Sequence, residues 1–132
     1  MQKRNAMKNK TILIVDDEDS VLKNLTAFFE DEGYRVVTFF SAEEALAVLP
    51  DTPVDISIVD MRLPGIDGNS FIRAAYSINP DIKFIIHTGS SDYTLPEDLK
   101  RIGLTRNHIH YKPVANLGDM LKVLDLPQDD LK

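Results

Sequence analysis

The sequence contains no cysteine and no tryptophan among its 132 residues. Without cysteine the chain can form neither a disulfide framework nor a thiolate metal site, which is consistent with a reducing cytoplasm. Its longest apolar runs are far shorter than the ~18 residues that indicate a membrane span. The charged first ten residues also lack the apolar segment of a signal peptide. We therefore expect a cytoplasmic protein that does not enter a membrane.

An excess of positive charge is also missing. The chain carries 15 lysines and arginines against 21 acidic residues, a formal net charge of -6. This charge opposes the attraction to phosphate on which nucleic acid binding depends, so we expect no direct nucleic acid contact. The length suits one domain with one core. We divide the chain into a basic tail (1–10), a folded domain (11–126) and a C-terminal tail or start of a linker (127–132).

Short β-prone runs alternate along the chain with stretches of helical periodicity. The predicted strands are 11–15, 34–38, 54–59, 82–87 and 107–111. The predicted helices are 19–32, a second that ends at Pro50, a third that ends near Asn79, 95–102, and a last one marked by Leu117, Met120, Leu121 and Leu124. This alternation predicts an α/β domain, a doubly wound parallel sheet of five strands with helices on both faces.

Polar side chains stand where four of the predicted strands end. Because parallel strands end at one edge of the sheet, we expect these side chains to lie together. They are Asp16, Asp17, Asp60, Thr88 and Lys112. Three carboxylates in close contact repel one another unless a cation neutralises them, and their oxygens suit Mg²⁺. An ammonium and a hydroxyl beside them suit a phosphoryl group.

These residues form a series of short motifs. They are Asp16-Asp17, Asp60 followed by Pro64-Gly65 and Asp67-Gly68, Thr88-Gly89, and Lys112-Pro113. In this order and on these strand ends, the motifs resemble the receiver domain of two-component response regulators over residues 10–126. The resemblance implies the flavodoxin-like fold of the chemotaxis regulators, with strand order 2-1-3-4-5.

The resemblance also implies a function. Asp60 would accept a phosphoryl group from a sensor histidine kinase or a phosphotransfer protein. Asp16, Asp17, Asp60 and the backbone carbonyl of Arg62 would hold Mg²⁺, while Thr88 and Lys112 would contact the phosphoryl oxygens. Lys112-Pro113 would be a cis peptide. Such a domain catalyses only its own phosphorylation and dephosphorylation, and it signals to a partner or output domain through the surface formed by its fourth helix, fifth strand and fifth helix.

One position departs from the family pattern. Receivers usually carry tyrosine or phenylalanine three residues before the lysine, and this chain has Ile109 there. The usual coupling between the threonine and that aromatic ring is therefore not expected. Pro96 and a short apolar pattern also indicate that the fourth helix is abbreviated.

Two other functions compete with this interpretation. The segment from Asp17 to Val21 also resembles the nucleophile motif of haloacid-dehalogenase-type phosphatases, with Asp17 as nucleophile and Asp19 as acid and base. That hypothesis leaves Asp60 unexplained and requires further acids at a strand end after Lys112. The second alternative is a receiver-like docking module that is never phosphorylated, which would not need the complete set of site residues.

Overall fold

The computed structural model describes residues 9–125. A parallel sheet of five strands lies at the centre of the fold. The strands are β1 (Thr11–Val15), β2 (Arg35–Phe39), β3 (Ile56–Val59), β4 (Lys83–Thr88) and β5 (Ile109–Tyr111). They lie side by side in the order β2-β1-β3-β4-β5, and every neighbouring pair is parallel. The fold class and the strand order expected from the sequence are therefore confirmed.

Helices connect the strands and cover both faces of the sheet. The α-helices are α1 (Asp19–Asp31), α2 (Ala42–Val48), α3 (Gly68–Ile78) and α4 (Glu97–Arg101), and the shorter 3₁₀ turns are Leu49–Asp51, Arg106–His108, Leu117–Asp119 and Lys122–Asp125. The abbreviated fourth helix is confirmed, since α4 has only five residues and starts after Pro96. None of the helices within residues 9–125 is long and apolar enough to cross a membrane.

The sheet separates two apolar layers because side chains alternate along each strand. In β1, Leu13 and Val15 face the layer formed with α2, α3 and α4, whereas Ile12 and Ile14 face the layer formed with α1 and the C-terminal turns. All four of these side chains are fully buried. Burial on both faces explains why β1 is a continuous apolar run, and it fixes the residue at which the run must end.

The prediction of a last α-helix was wrong for the described residues. Residues 117–125 form two 3₁₀ turns, and Met120, Leu121 and Val123 are the buried side chains. Gly118 lies inside the first turn and disfavours an α-helix, while the Asn116 side chain accepts a hydrogen bond from the Gly118 amide at 3.0 Å. Apolar residues three positions apart also share one side of a 3₁₀ turn, so their spacing does not distinguish it from an α-helix.

The bounds of β1 are as predicted, and those of the other four strands differ from prediction by one or two residues. Two strands begin two residues later than predicted: β3 at Ile56 rather than 54, and β5 at Ile109 rather than 107 because a 3₁₀ turn precedes it. Thr105 and His108 cap that turn: the Thr105 hydroxyl accepts from the Asn107 amide, and His108 Nδ1 accepts from the Thr105 amide at 3.0 Å. Of the predicted tails, only Asn9 and Lys10 are described, and 127–132 lies outside the described residues.

Candidate functional site

Two central strands deliver the acids to one edge of the sheet. Val15 and Val59 are partners in the register of β1 and β3, so Asp16 and Asp60 follow at the same level. The Asp60 amide extends the ladder by donating to the Val15 carbonyl at 3.0 Å. Carboxylate oxygens of Asp16, Asp17 and Asp60 all lie within 4.8 Å of one another. The expected convergence of these three acids is present in the structure.

Lys112 completes this cluster from the end of β5. Its ammonium lies 2.9 Å from Asp16 Oδ2 and 3.6 Å from Asp60 Oδ2. A third carboxylate, that of Glu18, lies 2.9 Å away on the solvent side. The Lys112 side chain is only 16% exposed, so solvent screens its attraction to the two buried acids weakly. Lys112 therefore acts as a fixed positive charge among carboxylates.

The protonation equilibria follow from burial and from this charge cluster. Burial raises the pKa of Asp16 above its usual value, and the hydrogen bond from Lys112 only partly offsets this effect. Burial and the neighbouring Asp16 charge both raise the pKa of Asp60. Burial by itself would lower the pKa of Lys112, but hydrogen bonds to Glu18 and Asp16 raise it to about 12. Two carboxylates are thus crowded beside a lysine that stays charged.

The loop after β3 holds Asp60 in place. The Arg62 amide donates to Asp60 Oδ1 at 3.4 Å, while the Arg62 side chain is exposed. The loop turns back where the Gly68 amide donates to the Met61 carbonyl at 3.2 Å. A Cβ atom at position 68 would lie 2.7 Å from Met61 Cα, so glycine permits this close approach. Asp67 then caps α3 by accepting from the Ser70 amide at 2.9 Å.

Thr88 is the last residue of β4 and is fully buried. Its hydroxyl accepts a hydrogen bond from the Ser90 amide at 3.1 Å. Its carbonyl accepts from the Lys112 amide at 2.8 Å, which links the ends of β4 and β5. In the register of these strands its partner is Tyr111, whose side chain is 45% exposed. The Lys112–Pro113 peptide is cis, as the resemblance implied.

Sequence reasoning missed two residues at this site. Glu18 bonds Lys112 directly, although the only signal was its place next to Asp16-Asp17. His87 lines a groove of about 510 Å³ together with Lys112 and Glu18, and its ring Nδ1 is buried without a hydrogen-bond partner among the described residues. Burial and the charge of Lys112 lower the pKa of His87 to about 4, so this imidazole is neutral at neutral pH.

The cluster fits a hard divalent cation, because every donor that converges on it is a carboxylate oxygen. Within residues 9–125, no other group of three or more acidic, histidine or cysteine side chains is arranged to hold a metal ion. Asp19 does not join the cluster. It is the first residue of α1 and pairs with Lys23 at 3.0 Å.

The phosphatase alternative lacks its further acids in the described part of the chain. After Lys112, Asp119 forms an ion pair with Lys122 inside an exposed turn, and Asp125 ends the next turn. Asp129 and Asp130 lie outside the described residues. Asp60, which that hypothesis leaves unexplained, is 4% exposed and belongs to the central cluster. The arrangement therefore disfavours a phosphatase with Asp17 as its nucleophile.

Comparison with known proteins yields relatives of different lengths. Sporulation initiation phosphotransferase F of Bacillus subtilis is 30% identical over 116 residues, which cover 88% of this chain and 94% of that protein. The response regulator GtcR of Aneurinibacillus migulanus is 38% identical over 65 residues, which cover 49% of this chain and 27% of that protein. The chain thus spans nearly all of the first relative but about a quarter of the second.

Solved structures of response regulator receiver domains are also similar to this chain. A CheY-like response regulator receiver domain protein of Methanospirillum hungatei JF-1 superposes with a TM-score of 0.72 at 28% identity, over 94% of this chain and 97% of that one. The family model for the response regulator receiver domain matches residues 12–122. That match includes the whole sheet except Thr11 and all the residues gathered at its edge, and on this basis the chain belongs to the response regulator receiver domain family.

Proposed function

We propose that Asp60 is the phosphoryl acceptor of this receiver domain and that Asp16, Asp17 and Asp60 hold the Mg²⁺ ion that the transfer requires. The position of Lys112 among the carboxylates is the observation that carries the proposal. Its ammonium lies 3.6 Å from Asp60 Oδ2, close enough to contact a phosphoryl group on that oxygen. The backbone carbonyl of Arg62 is the proposed further ligand of the ion.

The hydrogen bonds favour Asp60 over Asp16 as the nucleophile. Both oxygens of Asp16 are engaged, Oδ1 by the Glu18 amide at 2.9 Å and Oδ2 by the Lys112 ammonium at 2.9 Å. Asp60 Oδ1 accepts one longer hydrogen bond of 3.4 Å from the Arg62 amide. Asp60 Oδ2 has only the 3.6 Å contact with Lys112, so its lone pairs are less engaged. Of these two buried acids, Asp60 therefore has the oxygen that is freer to attack phosphorus.

The proposed reaction is transfer from a phosphohistidine. A carboxylate oxygen of Asp60 attacks the phosphorus, the phosphorus–nitrogen bond breaks, and the imidazole leaves as the aspartyl phosphate forms. Lys112, with its pKa of about 12, stays protonated and offsets the charge of the transferred group. The Thr88 hydroxyl accepts from the Ser90 amide, and its own proton would be donated to a phosphoryl oxygen. When bound, Mg²⁺ would supply further neutralisation of the phosphoryl oxygens.

We also propose which class of protein donates the phosphoryl group and which class responds to the signal. A sensor histidine kinase or a phosphotransfer protein would supply the phosphoryl group to Asp60. The signal would leave through α4, β5 and the turns of residues 117–125, which stand where a last helix was expected. A partner protein or an output domain would respond to it, through a shift between conformations that already exist.

Phosphorylation by acetyl phosphate in the presence of Mg²⁺ tests this proposal. The protein should gain the mass of one phosphoryl group, and hydroxylamine should remove it, as expected of an acyl phosphate. Asp60→Asn should abolish the gain and Asp17→Asn should reduce it strongly. The control Asp19→Asn removes an exposed acid that pairs with Lys23 and should leave the gain unchanged.

The three candidate functions predict different results in this experiment. A phosphatase would turn over acetyl phosphate with dependence on Asp17 and Asp19, and Asp60→Asn would remain active. A docking module would gain no mass under any condition. Either pattern would overturn the assignment of Asp60.

A further inference from the structure

A carboxylate of α2 is bonded to the loop that follows Asp60. Glu43 Oε2 accepts a hydrogen bond from the backbone amide of Ile66 at 3.1 Å, across 23 positions of the sequence. The start of α2 fixes where Glu43 lies, because Ser41 caps this helix by accepting from the Glu44 amide at 3.2 Å. The bond therefore joins a rigid helix start to the segment that carries the proposed phosphoryl acceptor.

The turn at Gly65 is shaped to receive this carboxylate. Gly65 has a φ of +74°, in the left-handed region that favours glycine. A Cβ atom at this position would also collide with Glu43 Oε2. Any other residue would thus strain the turn and displace the carboxylate. The glycine that follows Pro64 allows the turn and Glu43 to approach each other.

The same loop carries a proposed ligand of the metal ion. Met61 and Leu63 are each 7% exposed and attach the inner side of the loop to the layer formed with α2, α3 and α4. Arg62 lies between them and is exposed, and its backbone carbonyl is the proposed ligand. Residues 64–65 are exposed as well. The hydrogen bond to Glu43 attaches this exposed part of the loop to a neighbouring helix.

We propose that Glu43 is a positioning residue for the metal site. By accepting from the Ile66 amide it holds the loop, and with it the Arg62 carbonyl, in place before Mg²⁺ binds. Glu43 does not belong to the group of acids that converge to hold the ion. The inference rests on the proposed function for the location of the metal site, but it does not depend on phosphoryl transfer.

The two alkaline-earth cations distinguish a held loop from a loose one. Mg²⁺ requires nearly ideal octahedral geometry, whereas Ca²⁺ accepts flexible arrangements of oxygen ligands. A loosely held carbonyl should therefore weaken the binding of Mg²⁺ more than that of Ca²⁺. The negative charge of Glu43 by itself would act equally on two ions of the same charge.

Two substitutions at position 43 separate the hydrogen bond from the charge. Glu43→Gln removes the charge but keeps a side-chain oxygen that can accept from the Ile66 amide. Glu43→Ala removes both. Glu44→Ala is the matched control, because Glu44 is an exposed acid in the same turn and the cap of α2 uses only its backbone amide.

Isothermal titration calorimetry of the full chain with Mg²⁺ and, separately, with Ca²⁺ tests the proposal without a phosphoryl donor. We expect Glu43→Ala to weaken Mg²⁺ binding about fivefold and Ca²⁺ binding less than about twofold, as the loss of one hydrogen bond to a charged acceptor allows. Glu43→Gln and Glu44→Ala should bind both ions nearly as the wild type does.

Hydrogen exchange of the Ile66 amide is a second measurement, and it needs no metal ion. This amide should exchange faster in Glu43→Ala than in the wild type or in Glu43→Gln. The Asp60 amide, which donates to the Val15 carbonyl, should keep its protection in all variants. Faster exchange at Ile66 alone shows that the loop is released while the sheet stays folded.

Several outcomes would overturn the proposal. They are an equal loss of Mg²⁺ and Ca²⁺ affinity in Glu43→Ala, a loss in Glu43→Gln or Glu44→Ala as large as in Glu43→Ala, and unchanged Mg²⁺ affinity when the Ile66 amide has lost its protection. Absence of Mg²⁺ binding by the wild type would overturn this proposal and the metal site together. A selective loss of Mg²⁺ affinity in Glu43→Ala, in a protein that acetyl phosphate does not label, supports the role of Glu43 and contradicts only the assignment of Asp60.

Discussion

Thr88 at the end of β4 and Tyr111 at the end of β5 are partners in the register of the two strands. Tyr111 directly precedes Lys112. The Thr88 carbonyl and the Lys112 amide are joined by a 2.8 Å hydrogen bond beside this pair. Ile109, which stands where receivers usually have an aromatic ring, lies two residues earlier on the same strand. Tyr111 is therefore the aromatic residue paired with the threonine in the strand register, and its ring is 45% exposed.

The first prediction concerns the Tyr111 ring. With fluorotyrosine incorporated, we expect the ¹⁹F resonance of Tyr111 to shift when Mg²⁺ and beryllofluoride are added, because a contact of Thr88 with the phosphoryl mimic would displace the end of β4. Tyr34, which packs edge-on against Phe29 in the layer on the α1 side, is the internal reference and should not shift. The variant Tyr111→Phe assigns the signal. An unchanged Tyr111 resonance in protein that has bound beryllofluoride would contradict this coupling.

The second prediction concerns the charge of Lys112. Lys112→Met leaves the buried carboxylates of Asp16 and Asp60 without their cation. We expect the free energy of unfolding in urea, without Mg²⁺, to fall by about 2 kcal/mol. Lys122→Met is the matched control because its partner Asp119 lies in an exposed turn, and it should cost less than about 1 kcal/mol. Equal effects of the two substitutions would contradict the prediction.

The third prediction concerns the loop that carries Asp60. Gly68→Ala places a Cβ atom 2.7 Å from Met61 Cα, and this backbone cannot move aside cheaply. The expected loss of stability is about 1–3 kcal/mol, measured by urea unfolding. A Cβ atom at Gly89 would meet no heavy atom within 4 Å, so Gly89→Ala should change stability by less than about 1 kcal/mol. Comparable losses in both variants would show that close approach is not the reason for Gly68.

The fourth prediction concerns pH and His87. Because burial lowers its pKa in the folded state to about 4, the unfolded chain binds more protons between about pH 6.5 and pH 4. His87 is a base whose folded-state pKa is depressed, so its contribution to stability is lost as the pH falls through this window. From pH 7 to pH 5 the contribution should decrease by about 2 kcal/mol.

The variant His87→Gln isolates this effect from that of the carboxylates. Asp16 and Asp60 have raised pKa values in the folded state, so acidification acts on them in the opposite direction and partly hides the effect of His87. The difference in urea stability between wild type and variant removes their contribution. That difference should decrease toward pH 5, and a difference that is constant from pH 7 to pH 5 would contradict a buried neutral imidazole.

The strands and the acidic cluster were predictable for a shared physical reason. A parallel strand covered on both faces is an unbroken apolar run, so the first acid after β1 or β3 marks the end of the strand. Parallel connectivity then places Asp16, Asp17 and Asp60 at one edge before any coordinates are known. The bond from Lys112 to Glu18 was not predictable in this way. It depends on where α1 begins and on the reach of two long side chains.

The periodicity of apolar residues did not predict the structure of the C-terminal segment correctly. Leu117, Met120, Leu121 and Leu124 fit an α-helix, but the structure buries Met120, Leu121 and Val123 from 3₁₀ turns. A three-residue and a 3.6-residue repeat cannot be told apart over so short a segment. The start of β5 was misplaced for a different reason, since the turn at 106–108 depends on a hydrogen bond between His108 and Thr105.

Borohydride reduction followed by peptide mapping tests the identity of the acceptor most directly. Borohydride converts an aspartyl phosphate to homoserine and leaves unmodified aspartate unchanged. After treatment with acetyl phosphate and Mg²⁺, homoserine should be found at position 60 alone, and none should form when EDTA is present. Homoserine at position 16 or 17, or its absence from position 60 in protein that has gained a phosphoryl group, would contradict the assignment of Asp60.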